Sequence, residues 1–156
     1  MWYSKSTADW NPQPIVDFNT VEGFWRLYNN LVPAGSLPDG ADYFMFKQGI
    51  KAEWEHPANA NGGMWLFEFP PGSEEAVNNC WLWTLLALIG EYFTHSDDIS
   101  GAVVSARPRY VRLALWTQSA GAEAVQQSIR DEWHNNFSDK EGSFFINPPK
   151  FKPHKQ

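Results

Sequence analysis

The segment from Ser73 to Phe93 restricts the fold most, because it predicts a long helix with apolar residues on two faces. Ser73, followed by Glu74 and Glu75, predicts a helix start favoured by side-chain capping and by the helix dipole. A helical wheel shows a stripe of apolar residues that is expected to face the core. It also shows further apolar residues about a quarter to a third of a turn away. The stripe is Val77, Trp81, Leu85, Leu88 and Tyr92, the flanking residues are Leu82, Leu86 and Phe93, and Trp83 lies nearly opposite.

Two further helices and several strands are predicted around this helix. A Thr20 N-cap precedes apolar residues at helical spacing, and a third helix is predicted over about 121–135. Strands are predicted within 1–18 and over 43–46, 65–69, 101–105 and 110–117, the last two joined as a hairpin by Arg107-Pro108-Arg109. Strands mixed with only three helices favour an α+β domain, an antiparallel sheet covered by helices on one face.

Length and composition predict one soluble domain. The 156 residues, 43% of them hydrophobic, suit a single domain over 1–156, with a first strand and loop at 1–18 and a short C-terminal segment at 136–156 whose lysines are solvated. No long apolar run and no secretory pattern occur, so neither a membrane span nor export is expected. The only cysteine, Cys80, fits a reducing compartment.

The charge and the tryptophan content of the chain restrict the functions that we expect. A formal net charge of −6 argues against non-specific binding to nucleic acid, which depends on many cations that neutralise phosphates. Nine tryptophans are more than a core of this size needs, and this surplus is the first indication of a binding role.

Arginines cluster at the predicted hairpin turn. Three of the five arginines are Arg107, Arg109 and Arg112, which is a patch the size of a phosphate group. A solvated turn is the alternative interpretation. Period-two geometry favours binding, because it places Arg112 and Trp116 on one face of the sheet.

A second candidate site is Glu53-Trp54-Glu55, in a predicted loop between Phe46 and Gly63. An indole face attracts positive charge, and a carboxylate accepts hydrogen bonds from ring N–H groups, so the group suits a cationic aromatic ligand. The alternative is a loop tryptophan tucked over the sheet edge.

Catalytic interpretations find little support. The four histidines lack metal-ligand spacing, Gly-x-Ser-x-Gly is absent, and Asp97-Asp98 is more simply the turn after the second helix than a cation site. We therefore expect no enzyme, no metal and no cofactor.

Long stretches of the chain resemble one family, the translation initiation factor 4E family, which binds the methylated 5′ cap of messenger RNA. The resemblance runs from Trp2 to about Ile129. It is carried by Thr20-Val21-Glu22-Gly23-Phe24-Trp25-Arg26-Leu27-Tyr28-Asn29, Trp54-Glu55, Gly62-Gly63-Met64-Trp65, Trp81-Leu82-Trp83-Thr84-Leu85-Leu86 and Arg107 to Trp116-Thr117.

The resemblance implies a curved antiparallel sheet with three helices on its convex face and a cap slot on the concave face. Trp10 and Trp54 correspond to the two indoles that sandwich 7-methylguanine, and Glu55 corresponds to the carboxylate that binds the base edge. Trp116 corresponds to the indole at the methyl group. Arg107, Arg109 and Arg112 correspond to the basic residues on the cap's phosphates.

The resemblance also implies a partner site on the convex helical face, for a 4G-type scaffold or a 4E-binding repressor. Its residues are Val21, Trp25, Leu82, Trp83 and Leu86, although the family usually has an acidic residue at the position of Trp83. We expect a monomeric initiation factor in the cytoplasm, with the nucleus as a second location. The alternatives are a cap-binding repressor or storage factor, a cap-modifying enzyme, and a protein-binding scaffold without a cap slot.

Overall fold

The computed structural model describes residues 1–5, 12–141 and 148–155. Within them, seven strands form one antiparallel sheet in the order β2-β1-β3-β5-β6-β4-β7. The strands are β1 (Trp2–Ser4), β2 (Gln13–Pro14), β3 (Asp42–Phe46), β4 (Gly63–Phe69), β5 (Ile99–Arg107), β6 (Tyr110–Thr117) and β7 (Lys150–Pro153). The helices are α1 (Val21–Tyr28), α2 (Glu74–Ile89) and α3 (Glu123–Glu141). The predicted fold, a curved antiparallel sheet with three helices on its convex face, is confirmed.

The centre of the sheet is the predicted hairpin of β5 and β6. Arg107 pairs with Tyr110, so the turn itself consists of Pro108 and Arg109. β3 pairs with the outer edge of β5, and β4 pairs with the outer edge of β6. The long hairpin therefore sets the register of both flanking strands.

The main core lies between the sheet and the helices. Alternate strand residues face it, because successive side chains of a strand point to opposite faces. Its fully buried members from the helices include Phe24, Leu85, Ile129 and Trp133. Trp133 also donates its Nε1–H to the Thr84 hydroxyl oxygen at 3.1 Å, which joins α3 to α2.

α1 and α2 begin after Thr20 and Ser73 as predicted, but the predicted capping hydrogen bond of the Ser73 side chain is absent. Thr20 Oγ1 accepts a hydrogen bond from the Gly23 N–H at 3.0 Å. Ser73 occupies the N-cap position of α2, yet its hydroxyl donates to the Pro70 carbonyl oxygen at 2.8 Å instead of accepting from the helix. The Ser73 hydroxyl therefore forms its hydrogen bond within the turn before α2 and does not cap the helix.

The predicted end of α2 is also wrong. As a result, Phe93 and not Tyr92 is the aromatic residue after the helix that is buried in the core. The helix stops at Ile89 with Gly90 as its C-cap, and Glu91 has a φ of 49°, in the left-handed region. The chain therefore leaves the helical path before residue 92. Phe93 is buried, whereas Tyr92, predicted as part of the core stripe, is 54% exposed.

α3 is longer than predicted and carries a buried glutamine that the pattern of apolar residues does not reveal. Gln126 Oε1 accepts hydrogen bonds from Trp65 Nε1 at 3.1 Å and Thr117 Oγ1 at 3.0 Å. Its Nε2 donates to Asp98 Oδ2 at 2.9 Å. This network satisfies polar groups that would be costly to bury alone.

The sequence did not predict β7. This strand pairs with β4, and the Phe151 ring packs against Trp65 with a centroid distance of 4.9 Å. Lys150 and Lys152 are exposed, as expected. Pro153 is tolerated because β7 lies at the edge of the sheet, where a missing N–H breaks no ladder.

Candidate functional site

The face of the sheet opposite the helices carries a second, smaller apolar cluster. Its buried members are Phe44, Ala52, Val103, Ala114 and Trp116. Trp2, Phe46, Met64 and Leu66 are half-buried against them. We call this surface the open face, because no helix among the described residues covers it.

Trp116 lies at one end of the open face and is covered by two other rings. The Phe46 ring meets the indole edge-on, with centroids 5.4 Å apart, and the His154 ring lies at 4.2 Å. Trp116 is consequently only 8% exposed. It can offer a ligand an edge of its ring and not a whole face.

The loop that joins β3 to β4 begins and ends beside Trp116. Phe46, at the end of β3, pairs with Gly101, which pairs with Trp116. Met64, near the start of β4, pairs with Trp116 from the other side. Residues 47–62 are therefore attached to the sheet at the Trp116 end of the open face.

This loop is held by a buried asparagine. Asn59 Nδ2 donates to the carbonyl oxygens of Lys51 at 2.9 Å and Glu53 at 2.8 Å. Ala52 packs into the cluster of the open face. Trp54, next to these anchors, is 50% exposed, and Glu55 is exposed. An indole and a carboxylate are thus presented side by side to solvent.

The three predicted arginines lie on the hairpin of β5 and β6, toward its turn and away from Trp116. Two of them have carboxylate partners. Arg107 Nη2 donates to Asp42 Oδ1 at 2.9 Å, and Arg112 Nη2 donates to Glu68 Oε1 at 2.7 Å. Arg109 is exposed in the turn. The sequence revealed the arginines but not their partners, because the partners come from other strands.

Comparisons with known proteins agree on one family. The sequence model of the family Eukaryotic initiation factor 4E matches residues 1–156. The chain is 48% identical over 132 residues to eukaryotic translation initiation factor 4E-1 of Arabidopsis thaliana, covering 83% of this chain and 54% of that relative. It is 45% identical over 135 residues to the factor 4E-1 of Lactuca sativa, covering 85% of this chain and 56% of that relative.

The chain belongs to the eukaryotic initiation factor 4E family. It spans about half the length of the curated relatives it matches.

Solved structures of the 4E family superpose on nearly the whole chain. Ascaris suum eIF4E-3, in complex with the m2,2,7G cap, gives a TM-score of 0.90 at 33% identity, covering 99% of this chain and 87% of that chain. Caenorhabditis elegans eIF4E-3, in complex with the 4E-binding protein Mextli and a cap analog, gives 0.88 at 33% identity, covering 99% of this chain and 88% of that one.

Within this 4E family member the predicted cap residues fall into three groups. Trp116 lies at one end of the open face, and Trp54 and Glu55 lie on the loop that is attached to the sheet at that end. The second group lies at the turn end of the hairpin of β5 and β6 and consists of Arg107, Arg109 and Arg112. Trp10 lies outside the described residues.

The predicted partner residues lie on the helices. Val21 is 58% exposed, and the other four, Trp25, Leu82, Trp83 and Leu86, are half-buried and pack against the margin of the main core. Trp25 meets Tyr28 edge-on, with centroids 5.8 Å apart. Trp83 is thus less exposed than its position opposite the core stripe suggests.

Several residues of the open face were not singled out from the sequence. His154 contacts Trp116, and Asn59 anchors the loop. Lys150 and Lys152 pair with Leu66 and Met64, and so lie on the open face, since paired residues share a face. Only the pairing of β7 with β4 could have revealed the two lysines and His154.

His154 has an unusual environment. Burial lowers the pKa of its imidazole below the ordinary value of about 6.5. Its Nε2 is buried and has no hydrogen-bond partner within the part of the chain that the structure describes. The ring next to Trp116 is therefore neutral at pH 7.

No group of three or more potential metal-binding side chains occurs in residues 1–5, 12–141 and 148–155. Within those same ranges, the helices are too short or too polar to cross a membrane.

Proposed function

We propose that this 4E family member binds the 7-methylguanosine 5′ cap of messenger RNA on the open face of its sheet. We further propose that it links the cap to a 4G-type scaffold protein and so starts cap-dependent translation. The observation that carries the proposal is the exposure of Trp54 and Glu55, side by side on an anchored loop, at the end of the sheet where Trp116 lies. The cap complexes of the two nematode relatives support a methylated cap as the class of ligand.

The chemistry of the methylated base matches these side chains. Methylation at N7 makes guanine cationic, so stacking on the Trp54 indole gains a cation–π contribution. Removing a stacking partner usually costs about 1–3 kcal/mol per base. The Glu55 carboxylate accepts hydrogen bonds from N1 and N2 of the base, which distinguishes guanine from adenine.

Trp10 and Trp116 complete the base site in this proposal. The resemblance assigns Trp10 to the second indole of the sandwich, and that assignment stays a prediction. Trp116 contacts the methyl group. Its low exposure suits such a contact, because a methyl group needs only an edge of the ring.

The arginines receive the phosphates. Arg112 is four residues from Trp116 along β6, a separation of about 13 Å at 3.3 Å per residue. This distance suits a ribose and a short phosphate chain that lead away from the base. Binding is therefore expected to weaken with salt, by about 0.7 log units for each log unit of salt and each phosphate neutralised.

The helical side of the sheet receives the protein partner. Val21, Trp25 and Leu82 are expected to bind an amphipathic helix that carries a Tyr-x4-Leu-apolar motif, together with Trp83 and Leu86. The Mextli complex of the C. elegans relative supports a 4E-binding protein as the partner class.

The ligand is bound and released without a chemical step in this proposal. The similar proteins are initiation factors, and the described part of the site contains two indoles, carboxylates and arginines but no arrangement of nucleophile and base. Cap-dependent initiation places the protein in the cytoplasm, with the nucleus as a second location. Recovery of a chemically altered nucleotide would contradict this part of the proposal.

A fluorescence titration tests the proposal. Tryptophan emission is followed while 7-methyl-GTP or unmethylated GTP is added, because ring stacking on indoles should quench them. We expect saturable quenching by 7-methyl-GTP at concentrations at least tenfold below those needed for GTP. Equal and weak responses to the two nucleotides would overturn the proposal.

A further inference from the structure

Two of the arginines that the proposed function assigns to phosphate already form ion pairs with carboxylates. These two ion pairs differ in how exposed their side chains are. In the pair of Arg107 and Asp42, the carboxylate side chain is 4% exposed. In the pair of Arg112 and Glu68, the arginine and glutamate side chains are 34% and 48% exposed. The first pair is part of the packed structure, whereas the second lies on the surface.

The geometry of Arg107 is that of a fixed group. Its Nη1 donates to the carbonyl oxygen of Ala106 at 2.7 Å while its Nη2 donates to Asp42. Two acceptors therefore hold the guanidinium in one orientation.

Glu68 holds Arg112 less firmly. The two residues lie directly opposite each other on β4 and β6, so their side chains share the open face. Arg112 donates from both Nε, at 3.2 Å, and Nη2, at 2.7 Å, to the single oxygen Oε1. The guanidinium also lies over the Tyr110 ring, 5.1 Å from its centroid. An exposed pair of this kind contributes only about 0–1 kcal/mol, so an anion can replace the carboxylate.

The position of Glu68 gives the pair a consequence for binding. A phosphate that reaches Arg112 meets a carboxylate that already uses two of its donors. At about 6 Å in water, each unit of like charge costs about 0.7 kcal/mol, or roughly threefold in affinity. The base, at the Trp54 end of the open face, is too far away to be affected comparably.

We infer that Glu68 competes with the phosphates of the ligand for Arg112 and so sets how much affinity a ligand gains from its phosphates. This inference rests on the proposed function. Because every nucleoside triphosphate shares the phosphate contribution, Glu68 weakens the binding of 7-methyl-GTP and GTP by similar factors and leaves the ratio of their affinities unchanged. The repulsion distinguishes ligands by their phosphate charge and not by their base.

The experiment compares the wild-type chain with Glu68→Gln, which keeps the size of the side chain and removes its charge. Fluorescence titrations use 7-methylguanosine, its monophosphate and 7-methyl-GTP, with GTP as the unmethylated reference. We expect Glu68→Gln to bind 7-methyl-GTP about three- to tenfold more tightly, and 7-methylguanosine less than twofold differently. Binding of GTP should improve by a similar factor, and the salt dependence of 7-methyl-GTP binding should become steeper.

Asp131→Asn is the matched control. Asp131 pairs with Arg130 on α3 at 2.8 Å, and the arginine and aspartate side chains are 33% and 58% exposed, so the variant removes the same charge from a similar pair away from the open face. We expect its affinities for all four ligands to match the wild type within twofold.

The outcomes separate the two proposals. If wild type fails to prefer 7-methyl-GTP over GTP, the proposed function is wrong. If wild type shows that preference but Glu68→Gln binds 7-methyl-GTP no more tightly than Asp131→Asn does, only the role of Glu68 is wrong. Weaker binding by Glu68→Gln would show that Glu68 positions Arg112, and an equal gain for 7-methylguanosine would show that it acts on the base; either result overturns the inference.

Discussion

The two faces of the sheet differ in how completely their polar groups are satisfied. On the helical face, Gln126 and Trp133 are buried and hydrogen-bonded to their neighbours. On and beside the open face, Trp54 is half exposed and Arg112 forms an exposed ion pair, while His154 Nε2 is buried without a partner within the described ranges. Burial with complete hydrogen bonding stabilises a fold, while exposed and weakly paired groups remain available to a ligand.

Stability is therefore expected to depend on the helical face and nucleotide binding on the open face. The same chemical group, an indole, can test this division in different places. Trp133 lies in the core, Trp54 lies on the loop beside the open face, and Trp25 lies on α1 at the margin of the core.

The largest expected effect is that of Trp133→Ala on stability. The side chain is fully buried and packs against Phe67 and Phe137, and its removal leaves a cavity and the Thr84 hydroxyl without its partner. We expect the free energy of unfolding to fall by about 3–5 kcal/mol. Urea denaturation followed by far-UV circular dichroism measures the change, with Trp133→Phe as a milder variant that retains the fold. A loss below about 1 kcal/mol for Trp133→Ala would contradict the division.

The next effect is that of Trp54→Ala and Glu55→Gln on cap binding. Each should weaken 7-methyl-GTP binding by about 1–3 kcal/mol, because each removes one contact to the base. Retention on 7-methyl-GTP resin and titration measure the loss. Urea midpoints should stay close to the wild-type value, since both side chains are exposed. Undiminished retention of both variants would remove these residues from the base site.

A smaller effect is expected for Trp25→Ala, and on a different ligand. Binding of a helical peptide with the Tyr-x4-Leu-apolar motif should weaken about tenfold, because the indole is a large apolar contact on the surface of α1. Affinity for 7-methyl-GTP should be unchanged. Isothermal titration with both ligands tests this, and Trp54→Ala provides the reciprocal control, since it should bind the peptide normally. Equal peptide binding by Trp25→Ala and wild type would count against the convex partner site.

The smallest effect concerns pH and His154. The unfolded chain takes up a proton near pH 6.5, whereas burial lowers the pKa of the folded imidazole, so the unfolded state binds more protons as the pH falls below 6.5. Stability should therefore be highest above pH 6.5 and decrease below it. We expect His154→Phe, which keeps a ring beside Trp116, to lose less stability than wild type between pH 7 and pH 5. The difference should stay below about 1 kcal/mol, because solvent screens a half-buried group. Parallel pH curves of the two proteins would show that His154 makes no contribution.

The elements best predicted from the sequence are those whose signal is local. Alternation in β4 and the Thr20 cap of α1 depend on neighbouring residues, and the structure agrees with both. The hairpin of β5 and β6 needed only two apolar strands around a short turn. Trp54, Glu55 and Trp116 were identified from side-chain chemistry together with the resemblance, and their role in binding remains a prediction.

The features that were missed depend on residues far apart in the chain. Ser73 was predicted to cap α2, but the Pro70 carbonyl competes for its hydroxyl. β7 has only four residues and contains a proline, so its own pattern is too weak to predict a strand, and its pairing with β4 supplies what the pattern lacks. Glu68 reads as a solvent-facing residue of β4, and only the register with β6 places it against Arg112.

The prolines at the two edges of the sheet bear on self-association. Sheet edges with free N–H groups invite strands from other molecules, and such pairing is a common route to aggregates. Among the strands that the structure describes, the outermost two are only two and four residues long, and each ends in a proline, Pro14 on one edge and Pro153 on the other. Because neither proline can donate to a further ladder, a second copy gains little by extending the sheet. The protein should therefore stay dispersed at high concentration, in agreement with the expected monomer.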